Sequence, residues 1–472
     1  MAPSCKFKVL EQCKISPPPG TLPTTSLPLT FFDIPWLLFP PSQVNPFSFS
    51  SSQTTSSTTH HFTNSILPNL KHSLSLTLQH FFPLTATLAM PPLPATPHFL
   101  YTPADSSVSF TVAESNADFH HISGHHQRDV QEFHHLVPTL PQLKTGSYEH
   151  LSCPILAVQV TVFPHCGISV GLAFCHVAAD GRAFNNFLKC WASIFRMEPD
   201  LNTLPFNDRT VIRDPNGLES ILLKQWWDLV NSESNQPHTD ADLRDMVQAT
   251  FVVGRTDMEK IKERILTLSR KIFRSELGSM YLSPYVLTCA HIWVCLTKIR
   301  FSRTKRSVGK NPHYFGFIAG GITRLGYPVP DMYLGNCVSF GRSVARGDEL
   351  VGENGIVVAA KAIGDTIEKL NGDVLGGAEN WISDWKELLG SSEHHVMVTG
   401  SPKVDLYDLD FGWGRPKRIE EIGIGKTRAV SLSESRDVEG GIEVGLVLPK
   451  AQMDAFGSVF SKGLSTDPVD ES

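Results

Sequence analysis

The chain has no C-x-x-C pair, and its nine cysteines are an odd number scattered from Cys5 to Cys337. That pattern excludes a thiolate zinc ribbon and argues against a disulfide framework, so a reducing, cytoplasmic setting is expected. There is no excess of basic charge either: 41 Lys and Arg face 47 Asp and Glu, for a net charge of −6. Such a balance sets up no field for nucleic acid or an anionic membrane, and small molecules are the expected partners. The first thirty residues lack a basic stretch followed by an apolar core, so no secretory signal is expected. The long apolar run from Tyr281 to Phe301 carries His291 and Lys298 inside the span a bilayer would need, and it opens on Ser283-Pro284 as N-cap and first helical residue. It reads as a buried core helix, and no membrane span is expected.

What is present is alternation of strand and helix signals over 472 residues, too many for one ordinary core. The expected architecture is α/β in two lobes, with mixed, largely antiparallel sheets. Phe7 to Leu10 reads as a strand, Leu29 to Trp36 as an aromatic-rich packed arm, and Ser48 to Thr59 as a polar surface loop. Leu67, Leu70, Leu74, Leu78 and Phe81 keep helical spacing until Pro83. Two apolar runs, Ile155 to Phe163 and Gly167 to Phe174, flank turn residues and predict a β-hairpin. Directly afterwards Phe184, Phe187, Leu188, Trp191, Ile194 and Phe195 predict an amphipathic helix. The stretch from Arg196 to about Ala241 has little periodicity and suits a crossover. Near the end, Ile442, Val444, Leu446 and Leu448 alternate as a strand before a helix carrying Met453, Phe456 and Phe460. The expected division is a first lobe over 1–200, a crossover over 201–241 and a second lobe over 242–472.

His176 to Gly181 therefore joins a buried strand to an amphipathic helix, a place where side chains are held rigidly yet face a cleft. An imidazole suits removal of a hydroxyl proton as the oxygen attacks an acyl carbon. The carboxylate of Asp180, four residues on, either orients the imidazole or turns aside to anchor the loop on an arginine, and spacing alone does not choose. By itself H-x-x-x-D is common, and a strand-end histidine beside an N-capping aspartate is the plain reading. The rare string Asp410-Phe411-Gly412-Trp413-Gly414 in the other half of the chain changes the weighing.

The two motifs, in this order and separation, resemble those of the plant BAHD acyltransferases, which move acyl groups from coenzyme A thioesters to alcohols or amines. The likeness runs almost end to end, through Leu29 to Trp36, Ser73 to Leu84, Thr288 to Leu296 and Val430 to Leu448. Tyr333-Leu334-Gly335-Asn336-Cys337 resembles the Y-F-G-N-C box of the branch that malonylates flavonoid and other phenolic glycosides. The resemblance implies the chloramphenicol acetyltransferase-like fold, two similar lobes meeting at a channel with the motif histidine at its middle. It implies His176 as general base, Asp180 as a structural residue, and Asp410, Gly412, Trp413 and Gly414 as a structural string bracing the second lobe. Thr399 aligns with a family threonine near the developing oxyanion, which preorganised donors must meet. Arg182 is a candidate for the malonyl carboxylate, since a guanidinium offers two parallel hydrogen bonds. No bound cofactor or metal is implied; acyl-coenzyme A, with malonyl as the expected acyl group, is a co-substrate of a monomeric enzyme.

Two departures stand out. The family's D-x-R triplet is replaced by Gly320-Gly321-Ile322, leaving Arg324 as the candidate partner of Asp180, and the P-L-A-G segment reads Leu84-Thr85-Ala86. Two other readings compete. Gly167-Ile168-Ser169-Val170-Gly171 matches the nucleophile-elbow string of serine hydrolases, with Ser169 as nucleophile, but lies within a predicted strand. Alternatively, the altered triplet marks a non-catalytic acyl-coenzyme A-binding relative. The histidines at 120, 121, 125, 126, 134 and 135 read as a polar loop, and the basic run from Lys298 to Lys310 as a solvated one.

Overall fold

The computed structural model describes residues 7–39, 41–50, 59–91, 95–140, 152–232, 243–272, 280–304, 310–390 and 394–465. Two large sheets and one small one organise them. The first sheet orders Phe7–Ile15, Val108–Ser115, Leu156–Phe163, Gly167–Phe174, Ser42–Ser50 and Arg418–Glu421. The second orders Val338–Arg346, Pro312–Gly320, His395–Gly400, Val430–Glu434, Ile442–Pro449, Met246–Val253 and Arg128–Asp129. Pairing is antiparallel except between Val108–Ser115 and Leu156–Phe163, and on both sides of His395–Gly400. The expected two-lobed, mixed and largely antiparallel α/β architecture is the one observed.

Each lobe lends the other an edge strand: Arg418–Glu421, from the second half, pairs with Ser42–Ser50, and Arg128–Asp129, from the first, pairs with Met246–Val253. A buried ionic network forms where these strands cross. Arg128 Nη1 and Arg418 Nε donate to Glu420 Oε1 at 2.7 and 2.8 Å, while Arg418 Nη1 and the Tyr407 hydroxyl donate to Glu443 Oε2 at 3.0 Å each. Two cations face two anions, so the group holds no uncompensated formal charge, which burial would make very costly.

Several local expectations hold. The predicted hairpin forms, its turn closed by Cys166 N–H donating to Phe163 O at 3.0 Å with His165 at φ 63°. Leu67–His80 is helical and buries Leu67, Leu70, Leu74 and Leu78. Pro284–Thr304 is a helix whose apolar side chains, Trp293 among them, fill the second lobe's core, with Ser283 Oγ accepting Val286 N–H at 3.3 Å. Among the described residues no helix is long and apolar enough to cross a membrane.

Two expectations do not hold. Ser48 to Ser50 end a strand, because backbone pairing with Gly167–Ser169 overrides their polar composition; the following 51–58 lie outside the described residues. The crossover contains a helix, Leu218–Ser232, burying Leu218, Leu222, Leu223, Trp226, Trp227 and Val230. Its apolar period was obscured by the Pro- and Asp-rich segment before it.

Candidate active site

His176 follows the strand Gly167–Phe174, whose end is pinned by Cys175 N–H donating to Ile155 O at 2.8 Å. A single 3-10 turn, His176–Ala178, then redirects the chain, and Asp180 opens the helix Gly181–Phe195. That helix is fixed by its own apolar face. Phe184 stacks on Phe174 at 4.1 Å between ring centroids, and Trp191 Nε1 donates to Leu70 O and Ser73 Oγ at 3.2 and 3.1 Å. The turn bearing the imidazole is thus clamped between two rigid elements.

Around the half-buried His176 ring the structure gathers residues from both lobes. Trp36 lies flat over it, with centroids 3.5 Å apart and planes 15° from parallel. Asn336, from the second half, places Oδ1 3.1 Å from His176 Nδ1. The amide cannot be turned round, because its Nδ2 faces three oxygens: Asp33 Oδ1 and His176 O at 2.9 Å and Val177 O at 3.2 Å. With Asn336 Oδ1 an acceptor, Nδ1 of His176 must carry the hydrogen, and Nε2 keeps its lone pair. Burial pushes the imidazole down to about 4, against the upward pulls of Asp180, its own backbone, Asn336 and Asp33. At neutral pH the ring is an uncharged base.

Asp180 answers the question that spacing left open. Its Oδ1 caps the helix by accepting Ala183 N–H at 2.9 Å, and its Oδ2 accepts Cys337 N–H at 3.1 Å. No hydrogen bond to the imidazole is made. Arg324 does not reach Asp180, since its guanidinium donates to Asn371 Oδ1 and Gly320 O. The arginine beside Asp180 is Arg182, 3.8 Å away, and its other contacts are the carbonyls of Asp331 and Tyr333. Arg182 is therefore committed to stitching the motif helix to the Tyr333–Cys337 box. That geometry runs against the expectation that it receives an acyl carboxylate.

Asp410 Oδ1 accepts Gly412 and Gly414 N–H at 2.7 and 2.9 Å, closing a turn in which both glycines sit near φ 86–87°. Only a residue without Cβ takes that conformation cheaply. The turn presses Phe411 edge-on against Trp191 at 5.1 Å and Trp413 against Phe195 at 5.4 Å. The string therefore braces the first lobe's motif helix, and not the second lobe alone as expected. Asn185 Nδ2, donating to Val404 O, adds a second tie.

Thr399 lies on the strand His395–Gly400, its hydroxyl donating to Glu421 Oε1 at 3.3 Å. Burial pushes that carboxyl up to about 7, with the Thr399 bond offsetting part of the rise. Ser169 is sealed inside the strand Gly167–Phe174, 0 % exposed and with no hydrogen-bond partner among the described residues, so it is not at an elbow. His121 and Glu132 pair at 2.9 Å, and no trio of metal-ligating side chains occurs among the described residues. In the basic run Arg300 donates to His395 O, while Lys305 and Arg306 lie outside the described residues. A cavity of about 870 Å³ lined by His125, Asp129, Phe251 and Lys450 opens at the second sheet's edge; no residue touching the His176 ring lines it.

The sequence reading missed Trp36, Asp33 and Asn336 as neighbours of the imidazole. A polar residue inside an apolar run, such as Asp33 between Phe32 and Ile34, was the available signal.

The chain matches the Transferase family over residues 10–462. It is 36% identical to a coumaroyl-CoA:anthocyanidin 3-O-glucoside-6''-O-coumaroyltransferase of Arabidopsis thaliana and 36% identical to a malonyl-coenzyme A:anthocyanin 3-O-glucoside-6''-O-malonyltransferase of Dahlia pinnata, each alignment covering 97% of both chains. Among solved structures, vinorine synthase superposes with a TM-score of 0.69 at 18% identity, covering 98% of this chain and 100% of the other. TRI101 of F. sporotrichioides, solved with coenzyme A and T-2, gives 0.64 at 14% identity over 93% of this chain and 98% of the other. At those identities the two structures speak to the fold.

Proposed function

We propose that this chain, which belongs to the transferase (BAHD) family, is an acyl-coenzyme A-dependent O-acyltransferase working on a sugar hydroxyl of a phenolic or flavonoid glycoside. The observation that carries the reading is the hydrogen bond between His176 Nδ1 and Asn336 Oδ1, which leaves Nε2 available to act as the base. The acceptor hydroxyl gives its proton to Nε2 as its oxygen bonds to the thioester carbon. When the tetrahedral intermediate collapses, the carbon–sulfur bond breaks and the imidazolium returns the proton to the coenzyme A thiolate. No covalent acyl-enzyme forms. The face of Trp36 over the ring favours the transient imidazolium by cation–π attraction.

Thr399 is the proposed donor to the oxyanion. Its hydroxyl has one proton, which Glu421 holds while ionised. With that carboxyl pushed up to about 7, Glu421 carries its own proton through mildly acidic pH and donates to Thr399, which frees the threonine O–H.

Malonyl-coenzyme A is the first donor to test, as for the Dahlia pinnata relative, and coumaroyl-coenzyme A the second, as for the Arabidopsis thaliana one. The commitment of Arg182 to backbone carbonyls, and the aromatic cluster in which Trp36 covers the base and packs against Trp385, are what bring the aromatic donor into the test. The proposed division is a first lobe over 1–200, a crossover over 201–241 and a second lobe over 242–472, acting as a cytoplasmic monomer. The test is a panel of acyl-coenzyme A donors and glycosylated phenolics, with products read by mass. His176→Ala is expected to cut turnover by about 10²–10⁴ while the protein stays folded, and full turnover by that variant would remove the reading.

A further inference from the structure

Beneath the imidazole, three segments distant in sequence converge on one carboxylate. Asp33 is 0 % exposed. Its Oδ2 accepts the Thr30 N–H at 2.8 Å, the Thr30 hydroxyl at 2.9 Å and Arg209 Nη1 at 2.5 Å. Its Oδ1 accepts the Asn336 N–H at 3.2 Å and Asn336 Nδ2 at 2.9 Å. All five partners are donors, and they occupy both oxygens. No other side chain of this shape meets that demand, since an amide would turn its NH₂ toward donors whichever way it lay. Arg209 comes from the crossover, lies 5.1 Å from the Phe99 ring centroid and supplies the counter-charge that so deep a carboxylate requires.

Asp33 also heads the 3-10 turn Ile34–Leu38, in which its own carbonyl accepts Trp36 N–H at 3.1 Å. The same residue thus sets the indole over the imidazole and the amide beside it. Asn336 meets His176 through Oδ1 and Asp33 through Nδ2, so the carboxylate and the imidazole sit at opposite ends of one amide.

We propose that Asp33 is a positioning residue of the transfer reaction: through Asn336 it holds His176 in the Nδ1–H tautomer, so that Nε2 is unprotonated and aimed at the acceptor hydroxyl. This inference rests on His176 being the base. It assigns the arm at the chain's start and the crossover arginine a part in chemistry, where the sequence showed only packing and a connection. A proton on the wrong nitrogen leaves the thioester and acceptor contacts as they were, so turnover falls while binding is kept.

Asp33→Asn is the decisive variant. Its NH₂ must displace either Arg209 and Thr30 or Asn336; turned toward Asn336, it weakens that amide's hold on the ring. The expected result is a kcat lower by about 10- to 100-fold, below the full range for losing a base, with KM for the thioester within about twofold of wild type. The tautomer is read directly from ¹⁵N-histidine spectra of the folded protein, with His176→Gln identifying the resonances: a wild-type ring protonated at Nδ1, and in Asp33→Asn a shift toward protonation at Nε2. Arg209→Lys keeps the charge but replaces the Nη1 donor to Asp33 Oδ2 with a shorter-reaching ammonium, and is expected to lower kcat about three- to tenfold by the same route. Should Asp33→Asn not fold, that variant decides by the same two readouts. A wild-type kcat in the variants, or a loss of kcat with the His176 tautomer unchanged, overturns the inference. His176→Ala separates the two levels: full turnover there defeats the base itself, whereas an inactive His176→Ala beside a fully active Asp33→Asn defeats only the role of Asp33.

Discussion

Replacing Asp180 by alanine removes two hydrogen bonds that differ in cost. The first is the cap on the motif helix, Ala183 N–H to Oδ1 at 2.9 Å, and loss of such a cap costs about 1 kcal/mol. The second is Cys337 N–H to Oδ2 at 3.1 Å. Cys337 is 1 % exposed, so its amide is left without an acceptor, at about 1–3 kcal/mol. The contact to Arg182 is long and that side chain is partly exposed, so it adds little. The sum is about 2–4 kcal/mol, read as the loss in unfolding free energy in guanidinium. Asp180→Asn is the control: it keeps an oxygen for the cap but turns an NH₂ toward the Cys337 amide, and is expected to lose about 1–2 kcal/mol. Since Asp180 makes no hydrogen bond to the imidazole, Asp180→Asn is expected to retain more kcat than the base variant does. Stability of Asp180→Ala within about 0.5 kcal/mol of wild type, or an Asp180→Asn protein as inactive as His176→Ala but of unchanged stability, would refute the assignment of Asp180 to structure.

With burial holding His176 at about 4, the acidic limb of kcat/KM is expected near pH 4 and not at the ordinary imidazole value of 6.5; a limb at 6.5 in the free enzyme counts against the buried-base geometry. The sign for stability is the same: the native state binds the proton less well than the unfolded chain, so the contribution is complete above about 6.5 and is lost as pH falls through about 4. Arg182→Ala is expected to lower stability while leaving the KM ratio of malonyl- to coumaroyl-coenzyme A unchanged, and a selective rise for malonyl-coenzyme A would return Arg182 to carboxylate recognition. Phe411→Ala empties a site 1 % exposed against Trp191 and is expected to destabilise the chain by about 3–5 kcal/mol, measured by denaturant unfolding, with its residual folded fraction keeping the wild-type pH profile.

Much of the fold was written in local pattern. The apolar run from Ile155 to Phe163, the helical spacing from Phe184 to Phe195 and the Ser283-Pro284 start each depend on neighbours in sequence, and each element formed where the pattern put it. His176 and Asp180 were legible for the same reason, being joined by one turn. The strand Ser42–Ser50 was not, because its order comes from ladders to Gly167–Phe174 and to Arg418–Glu421, far along the chain.

The partners of the base belong to that second kind. His176, Asn336 and Asp33 are separated by 160 and 303 positions along the two hydrogen-bonded links, and no local period relates them. Residue type marked His176 as able to take a proton, and Arg182 as able to bind a carboxylate. Tertiary structure decided that the first keeps a lone pair free while the second gives its hydrogens to Asp331 and Tyr333. The physical reason is that a hydrogen bond consumes a donor or an acceptor, and which one is consumed depends on what the folded chain brings within about 3 Å.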